Sequence, residues 1–348
     1  MNFSLTKRPK SKHLYTIAFY NLENLFDTAD DIRTLDDDFT PKGFKKWTQK
    51  RYKKKLNKLS KTIAQLGHYE TDLPPTLVGV SEVENHHVVK DLLASGPLKN
   101  FDYGYVHFNS PDERGIDCAL IYDRKHFEVE FSEPIQVLVF EENGIRDTTR
   151  DILYVKGKLK NETVHIFVNH WPSRRDGDSK TAHKRITAAK TINDFMMGIE
   201  TSEANPNYIV MGDFNDDPQS ESVKFLTETK GLYNPMEKLI TPTRGSASYR
   251  LSWMLFDQII VSHTFLNYEK GTHSFSAPDL TVTGSGDQDL DGPELLSVDV
   301  TPTTLALNAG EISVTISAKD PSGIKDATVY WKNPSGNLAS VDCGSFAS

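Results

Sequence analysis

The chain has 348 residues, 37% of them hydrophobic and 25% charged, with a formal net charge of −8. That length suggests about two domains with a sizeable core, and no run approaches ~18 consecutive apolar residues, which excludes an apolar membrane-spanning helix. The charge is unevenly placed: residues 276–348 hold ten acids against three lysines, a contribution of −7, so residues 1–275 carry only −1 and do not repel a polyanionic substrate.

In chain order, the opening residues Met1 to Lys10 lack the apolar core of a secretory signal, which points to the cytoplasm. The run Leu14 to Tyr20 predicts a buried strand leading into Asn21, Leu22, Glu23 and Asn24. An acidic stretch, Asp27 to Asp38, precedes a basic one in which ten of the twenty residues from Lys42 to Lys61 are Lys or Arg. Tyr52, Leu56, Leu59, Ile63 and Leu66 fall there at helical spacing, with Gly67 as the stop. The lysines then occupy the solvent side of an amphipathic helix, as a plain solvated face or as a nucleic-acid backbone contact. Thr76 to Val80 predicts a second strand, ending in Ser81, Glu82, Val83, Glu84 and Asn85. Cys118 lies in an apolar strand and reads as inert; there is no His-Glu-x-x-His or Cys-x-x-Cys to suggest zinc.

Val164 to Val168 is another apolar run, followed by Asn169, His170, Trp171 and Pro172. A second amphipathic helix is expected from Thr181 to Ile199, carrying Arg185. The most informative stretch is Asn207 to Pro218, in which a core strand delivers Gly212, Asp213, Phe214 and Asn215. Alternation along an extended chain puts Asp213 and Asn215 on one side and Phe214 on the other. Phe256 to Val261 carries Asp257 near its start. Five core strands therefore bring Asn, Glu, Asp or His to one rim, where open α/β folds bind ligands.

This ordered set resembles the endonuclease/exonuclease/phosphatase family of metal-dependent phosphodiesterases and phosphatases, from about Tyr15 to Phe275. It rests on Asn21, Glu82, Arg114-Gly-Ile-Asp117, Asn169-His-Trp-Pro-Ser-Arg-Arg175, Gly212-Asp-Phe-Asn215 and Asp257-Gln258. The resemblance implies an α/β fold of two packed mixed β-sheets flanked by helices, a four-layer sandwich. It also implies a Mg²⁺-dependent phosphodiester hydrolase, most plausibly an endonuclease, with Mn²⁺ as the alternative ion and nucleic acid or another phosphoester as partner. Nothing in the sequence calls for an obligate protein partner.

By the same resemblance Asn21 and Glu82 hold the metal, and Asp213 orients or deprotonates the attacking water. Asn215 donates to a phosphate oxygen, His170 contacts the phosphate and assists proton transfer, and Asp257 orients a second histidine. Arg114, Asp117, Asn169 and Arg174 would contact phosphate or substrate, although surface ion pairs explain Arg114, Asp117, Arg174 and Arg175 about as well. Such chemistry is mostly positioning and charge neutralisation, which is why it draws on acids, amides and an imidazole.

The family's terminal Ser-Asp-His has no counterpart: none of the eleven histidines follows an aspartate. The expected domain thus runs over residues 1–275 without its last strand, leaving Asp257 without its histidine; His263 and His273 have no spacing that qualifies them. Weak activity is the expectation, with a non-catalytic binding scaffold as the alternative. Residues 276–293 have linker composition, and Asp287, Asp289 and Asp291 open like a calcium loop, but Val298 stands where a Glu would be needed. Residues 294–348 read as a short all-β segment, with strands at Ile312–Ala318 and Ala327–Trp331 about a turn at Asp320 to Gly323. They resemble the start of a bacterial immunoglobulin-like module, expected to be incomplete because a sandwich takes roughly 100 residues.

Overall fold

The computed structural model describes residues 15–68, 71–141, 144–174, 177–241, 245–249 and 252–265, and the strand backbones of 294–301, 313–319, 326–332 and 338–345. The chain divides into two compact units, 1–282 and 283–348.

The first unit begins with β1 (Ile17–Leu25), α1 (Gln49–Gln65), β2 (Leu77–Val83), α2 (His86–Leu93), β3 (Tyr103–His107) and β4 (Asp117–Asp123). It continues with β5 (Phe127–Ile135), a small hairpin of β6 (Val139–Phe140) and β7 (Arg146–Asp147), then β8 (Ile152–Leu159), β9 (Glu162–His170) and α3 (Asp178–Glu200). It closes with β10 (Tyr208–Asp213), α4 (Glu221–Lys230), β11 (Leu232–Tyr233), a second small hairpin of β12 (Ala247–Tyr249) and β13 (Ser252–Met254), and β14 (Asp257–Ser262).

Four strands form one mixed sheet, in the order β1-β2-β4-β3, and six form another, β11-β14-β10-β9-β8-β5. Three apolar clusters show how they stack. Tyr52, Leu56, Leu59 and Ile63 of α1 and Val88, Val89 and Leu92 of α2 pack on Val78 and Val80 of β2. Ala188, Ile192 and Met196 of α3 and Val223 and Leu226 of α4 pack on Phe167 and Val210 of the larger sheet. Between the sheets, Leu77, Cys118 and Leu120 meet Val155, Ile166, Val168, Met211 and Ile259. The result is the expected four-layer order of helix, sheet, sheet, helix.

Period-2 and period-3.6 patterning accounts for these elements. Thr48 caps α1 by accepting from the Arg51 amide, and Gly67, at φ +75°, lets the chain turn away beyond the helix. The second amphipathic helix starts three residues earlier than its apolar pattern, at Asp178, whose carboxylate takes the Arg185 guanidinium at 2.6 Å. Gly212 is required at the end of β10, because a Cβ there would stand 2.3 Å from the Asn169 carbonyl oxygen of β9. Cys118 is free and buried, and burial pushes its thiol up, so it is inert as expected.

In the second unit, β15 (Glu294–Thr301) pairs antiparallel with β16 (Ser313–Lys319), and β17 (Asp326–Lys332) with β18 (Leu338–Ser345). The two strands anticipated there are β16, shifted by one residue, and β17, one residue longer at each end. The linker 276–293, with the aspartates of its calcium-loop mimic, His273 and the break after Phe275 lie outside the described residues, as does Arg175.

Candidate active site

The registers of three neighbouring strands set the site. β9 runs parallel to β10 and pairs His170 with Asp213; β14 runs antiparallel to β10 and pairs Asp213 with Asp257. Two residues earlier in β9 and β10, and two later in β14, stand Val168, Met211 and Ile259, which belong to the core between the sheets. Side-chain alternation therefore carries His170, Asp213 and Asp257 onto that same inner face, as a polar row where the apolar core ends. The smaller sheet repeats the device. Ile17 and Phe19 of β1 pack toward the inner core, and Asn21 is next in that alternation. Glu82 sits where the β2–β4 register shifts, at φ +60°, a conformation that L residues rarely hold. Glu23, Asn24 and Asn215 also have positive φ, so backbone strain gathers at this rim.

The two sheets meet across short distances. Asn21 Nδ2 donates to Asp213 Oδ2 at 3.1 Å, and the Asn21 Oδ1 accepts from the Glu23 amide at 2.8 Å. His170 Nε2 lies 3.9 Å from Glu82 Oε1 and 3.9 Å from Asp213 Oδ2. Asp213 Oδ1 accepts from the Asn215 amide at 2.9 Å. Burial pushes Asp213 up to about 6, reinforced by Glu82 and opposed by its bonds from Asn215 and Asn21. Asp257 is held well above the usual carboxylate range by burial and by Asp213 beside it. His170 goes down, through burial first and then the positive charges of Arg150 and Arg114, so its imidazole is neutral.

The remaining predicted residues divide into those at this rim and those beneath it. Asn215, 9% exposed, gives its Nδ2 to the Trp171 carbonyl at 2.9 Å, while Phe214 turns away as expected and packs edge-on against Trp171 on the helix side. Arg114 is partly exposed, its Nε 3.5 Å from Asp112, and is near enough to His170 to depress it. Asp117 is buried, with Oδ1 taking the amide and hydroxyl of Ser110 and Oδ2 3.1 Å from His107 Nε2. Asn169 is fully buried on the opposite face from His170; its Nδ2 bonds the Phe167 and Met211 carbonyls and its Oδ1 the Trp171 indole. Arg174 grips the loop after β10 from behind, with Nε on the Asn215 carbonyl at 2.7 Å, Nη2 on Asp216 at 2.5 Å and its guanidinium over Phe256. Asp117, Asn169 and Arg174 thus have structural partners.

Residues that sequence reasoning passed over complete the arrangement. Arg150 is buried, and it donates to the His170 carbonyl at 3.1 Å, to the Trp171 carbonyl at 2.5 Å and to Asp112 at 3.0 Å. It fixes the end of β9 and ties it to the loop bearing Arg114. Asp151, next in sequence, is pushed up to about 6 by burial, with Asp117 adding to the shift and Arg146 opposing it. The antiparallel pairing of β8 with β9 brings both Arg150 and Asp151 to the rim where β9 ends.

The donor set fits a hard divalent cation. Glu82, Asp213 and Asp257 bring carboxylates, and Asn21 and Asn215 amides, into a buried place where the negative charges repel one another. Among the described residues, the buried polar atoms without a hydrogen-bond partner include Ser81 Oγ, His170 Nδ1 and Asp257 Oδ1, all at this rim. Among the described residues no group of three or more His, Cys, Asp or Glu side chains is placed to hold a metal ion. Mg²⁺ does not need one, since it binds through one or two carboxylates and keeps several waters.

A family model described as Endonuclease/Exonuclease/phosphatase family matches residues 16–285. No curated protein matches the chain. Among solved structures, the chain is similar to the catalytic domain of human Nocturnin with bound sulfate, at 19% identity over 60% of this chain and 77% of that one, TM-score 0.46. It is similar to a mannosyl-6-phosphatase of Bacteroides thetaiotaomicron, at 17% identity over 72% and 85%, TM-score 0.46. Truncated TDP2 of Caenorhabditis elegans gives 17% identity over 60% and 78%, TM-score 0.42.

Proposed function

Because the chain belongs to the endonuclease/exonuclease/phosphatase family, and so to the phosphoester hydrolases, we propose that it is a Mg²⁺-dependent phosphodiesterase, specifically an endonuclease. The observation that carries this reading is the row of His170, Asp213 and Asp257 across three paired strands, facing Asn21 and Glu82 of the other sheet.

Glu82 and Asn21 hold the metal, which when bound neutralises charge on the phosphate oxygens. Mn²⁺ suits the same oxygen donors. Asp213, already hydrogen-bonded from Asn21 and Asn215, orients the attacking water and accepts its proton. A neutral His170, its Nε2 3.9 Å from Glu82, offers that nitrogen to the phosphate. Asn215 contributes an amide N–H, and Arg114, at the rim, meets a phosphate oxygen. Asp117, Asn169 and Arg174 position these groups.

A second reading, a scaffold that binds phosphoesters without cleaving them, is favoured by one observation. Asp257 Oδ1 is buried without a partner among the described residues, where the family's terminal histidine would stand. Turnover of bis-p-nitrophenyl phosphate, a phosphomonoester and plasmid DNA with Mg²⁺ or Mn²⁺, measured beside Asp213→Ala, separates the two. The catalytic reading expects metal-dependent turnover that Asp213→Ala abolishes. Wild-type rates equal to the variant's on all three substrates would leave the binding scaffold.

A further inference from the structure

The sequence of α1, Gln49–Gln65, contains seven lysines and arginines and not one carboxylate. Solvated helices usually interleave both signs, because Glu and Lys four apart stabilise each other and like charges at that spacing repel. Here Lys50, Lys54, Lys58 and Lys61 recur at intervals of four, four and three, opposite the buried Tyr52, Leu56, Leu59 and Ile63. All four are exposed. Along a rigid helix without a carboxylate of its own, such a stripe offers a row of exposed positive charges to a polyanion.

We propose that this stripe is a docking surface for a nucleic-acid backbone, feeding the strand toward the catalytic rim. The inference rests on the nuclease reading above and deepens it by naming the surface that holds the polymer. Charge and length both fit. From Lys50 to Lys61 is eleven residue steps, about 17 Å of helix, which matches about five phosphates of one strand at ~3.4 Å each. The helix is also continuous with the site. Lys55 Nζ donates to the Glu23 carbonyl at 2.5 Å, and the Glu23 amide in turn donates to Asn21. Gln49 Nε2 bonds Thr28 Oγ1 at 2.6 Å, so the N-terminal half of α1 is pinned beside the end of β1.

An anionic bilayer would offer the same charge but asks for a different helix. Interfacial helices bury an apolar face among lipid tails, and the apolar face of α1 is already covered by the smaller sheet. Its exposed positions are five lysines with Arg51, Gln49, Asn57 and Gln65, with no apolar side chain among them. That composition suits a polymer whose charges lie on its surface.

The test is fluorescence anisotropy of a labelled oligonucleotide, single-stranded and duplex, with the full chain in EDTA across a salt series. Replacing Lys50, Lys54, Lys58 and Lys61 together by Gln should weaken binding at least about tenfold and flatten the log–log salt slope by about three. Replacing the same four by Arg should restore both, and circular dichroism should show both variants folded. Turnover of bis-p-nitrophenyl phosphate should be the same in the Gln variant as in the wild type, since a small diester needs no docking surface. An unchanged affinity and salt slope in the Gln variant would overturn the proposal. So would capture of the wild type by phosphatidylserine vesicles with no binding to the oligonucleotide. Should wild-type chain lack diester turnover yet bind DNA through these lysines, the catalytic reading fails and the surface stands.

Discussion

Strand β9 carries two buried histidines, five residues apart, that sit at opposite rims and on opposite faces of the same sheet. His165 is finished. Its Nδ1 pairs with the Tyr154 hydroxyl at 2.7 Å and its Nε2 with Glu203 at 2.9 Å, while Lys156 holds the other Glu203 oxygen. His170 is not. Its Nδ1 has no partner among the described residues, and its Nε2 stands 3.9 Å from each of two carboxylates. Both imidazoles are pushed toward the neutral form by burial. The difference lies in what surrounds them: one polar network is closed on itself, and the other keeps polar atoms without a partner among the described residues. A closed network specifies structure, whereas an open one in a dry, charged place is poised for a ligand.

The sharpest way to break this contrast is to exchange function for stability at each histidine. Replacing His170 by Asn should lower metal-dependent diester turnover on the order of 10²–10⁴-fold, with little change in melting temperature. A His170→Asn variant that kept full turnover would remove the imidazole from the chemistry.

Arg150 sharpens the same comparison from below, because it lies under the open network and is itself fully engaged. Arg150→Met should leave buried Asp112 with only the Arg114 guanidinium 3.5 Å away, take the donor from the His170 carbonyl and leave the Trp171 carbonyl to Asn215 alone. A cost of about 3–5 kcal/mol in denaturant unfolding is expected, with turnover lost as the end of β9 loosens. If stability were unchanged, the network beneath His170 would be less rigid than its distances indicate.

What could be read in the sequence follows from the same geometry. Apolar runs ending in Asn, Glu, His or Asp announced β1, β2, β9 and β10, because alternation carries the residue beyond a core strand onto the core's own face. The α1 and α3 patterns were equally plain, since their apolar stripes are regular. Arg150 and Asp112 were not legible: one precedes a strand and the other lies in a loop, and only the antiparallel pairing of β8 with β9 brings the first to the rim. The strain at Glu82 also needs the structure, as does Asn169 pointing away from its neighbour His170, a consequence of alternation applied one residue earlier. The ion pair between Asp216 and the buried Arg185, 2.8 Å apart, depends on a helix and a loop meeting, which periodicity cannot supply.

The open rim should also betray itself by pH. In metal-free buffer the folded chain binds a proton at Asp213 more tightly than the unfolded chain does, because its value is raised from 3.8 to about 6. Its contribution is therefore fully favourable below about pH 4 and is lost as pH rises through about 6. At pH 7 Asp213→Asn should then be the more stable protein, by up to about 3 kcal/mol at ~1.36 kcal/mol per pH unit. Below pH 4 the two should melt alike. Wild type and variant melting together at every pH would show that Asp213 titrates normally.

The closed rim should respond with the opposite sign and a smaller size. His165 is held below its ordinary value of 6.5, chiefly by burial, against the pull of Glu203. The unfolded chain thus takes up the proton more readily, so stability is present above pH 6.5 and is lost as pH falls below it. His165→Leu should flatten that acid limb. At pH 7.5 it should cost about 2 kcal/mol, from two lost hydrogen bonds and a buried Tyr154 hydroxyl left unpaired. Turnover per folded molecule should not change, because β9 still delivers His170 to the opposite face. A fall in turnover with His165→Leu would mean that the two rims are coupled through the strand, and the division between a structural and a reactive histidine would not hold.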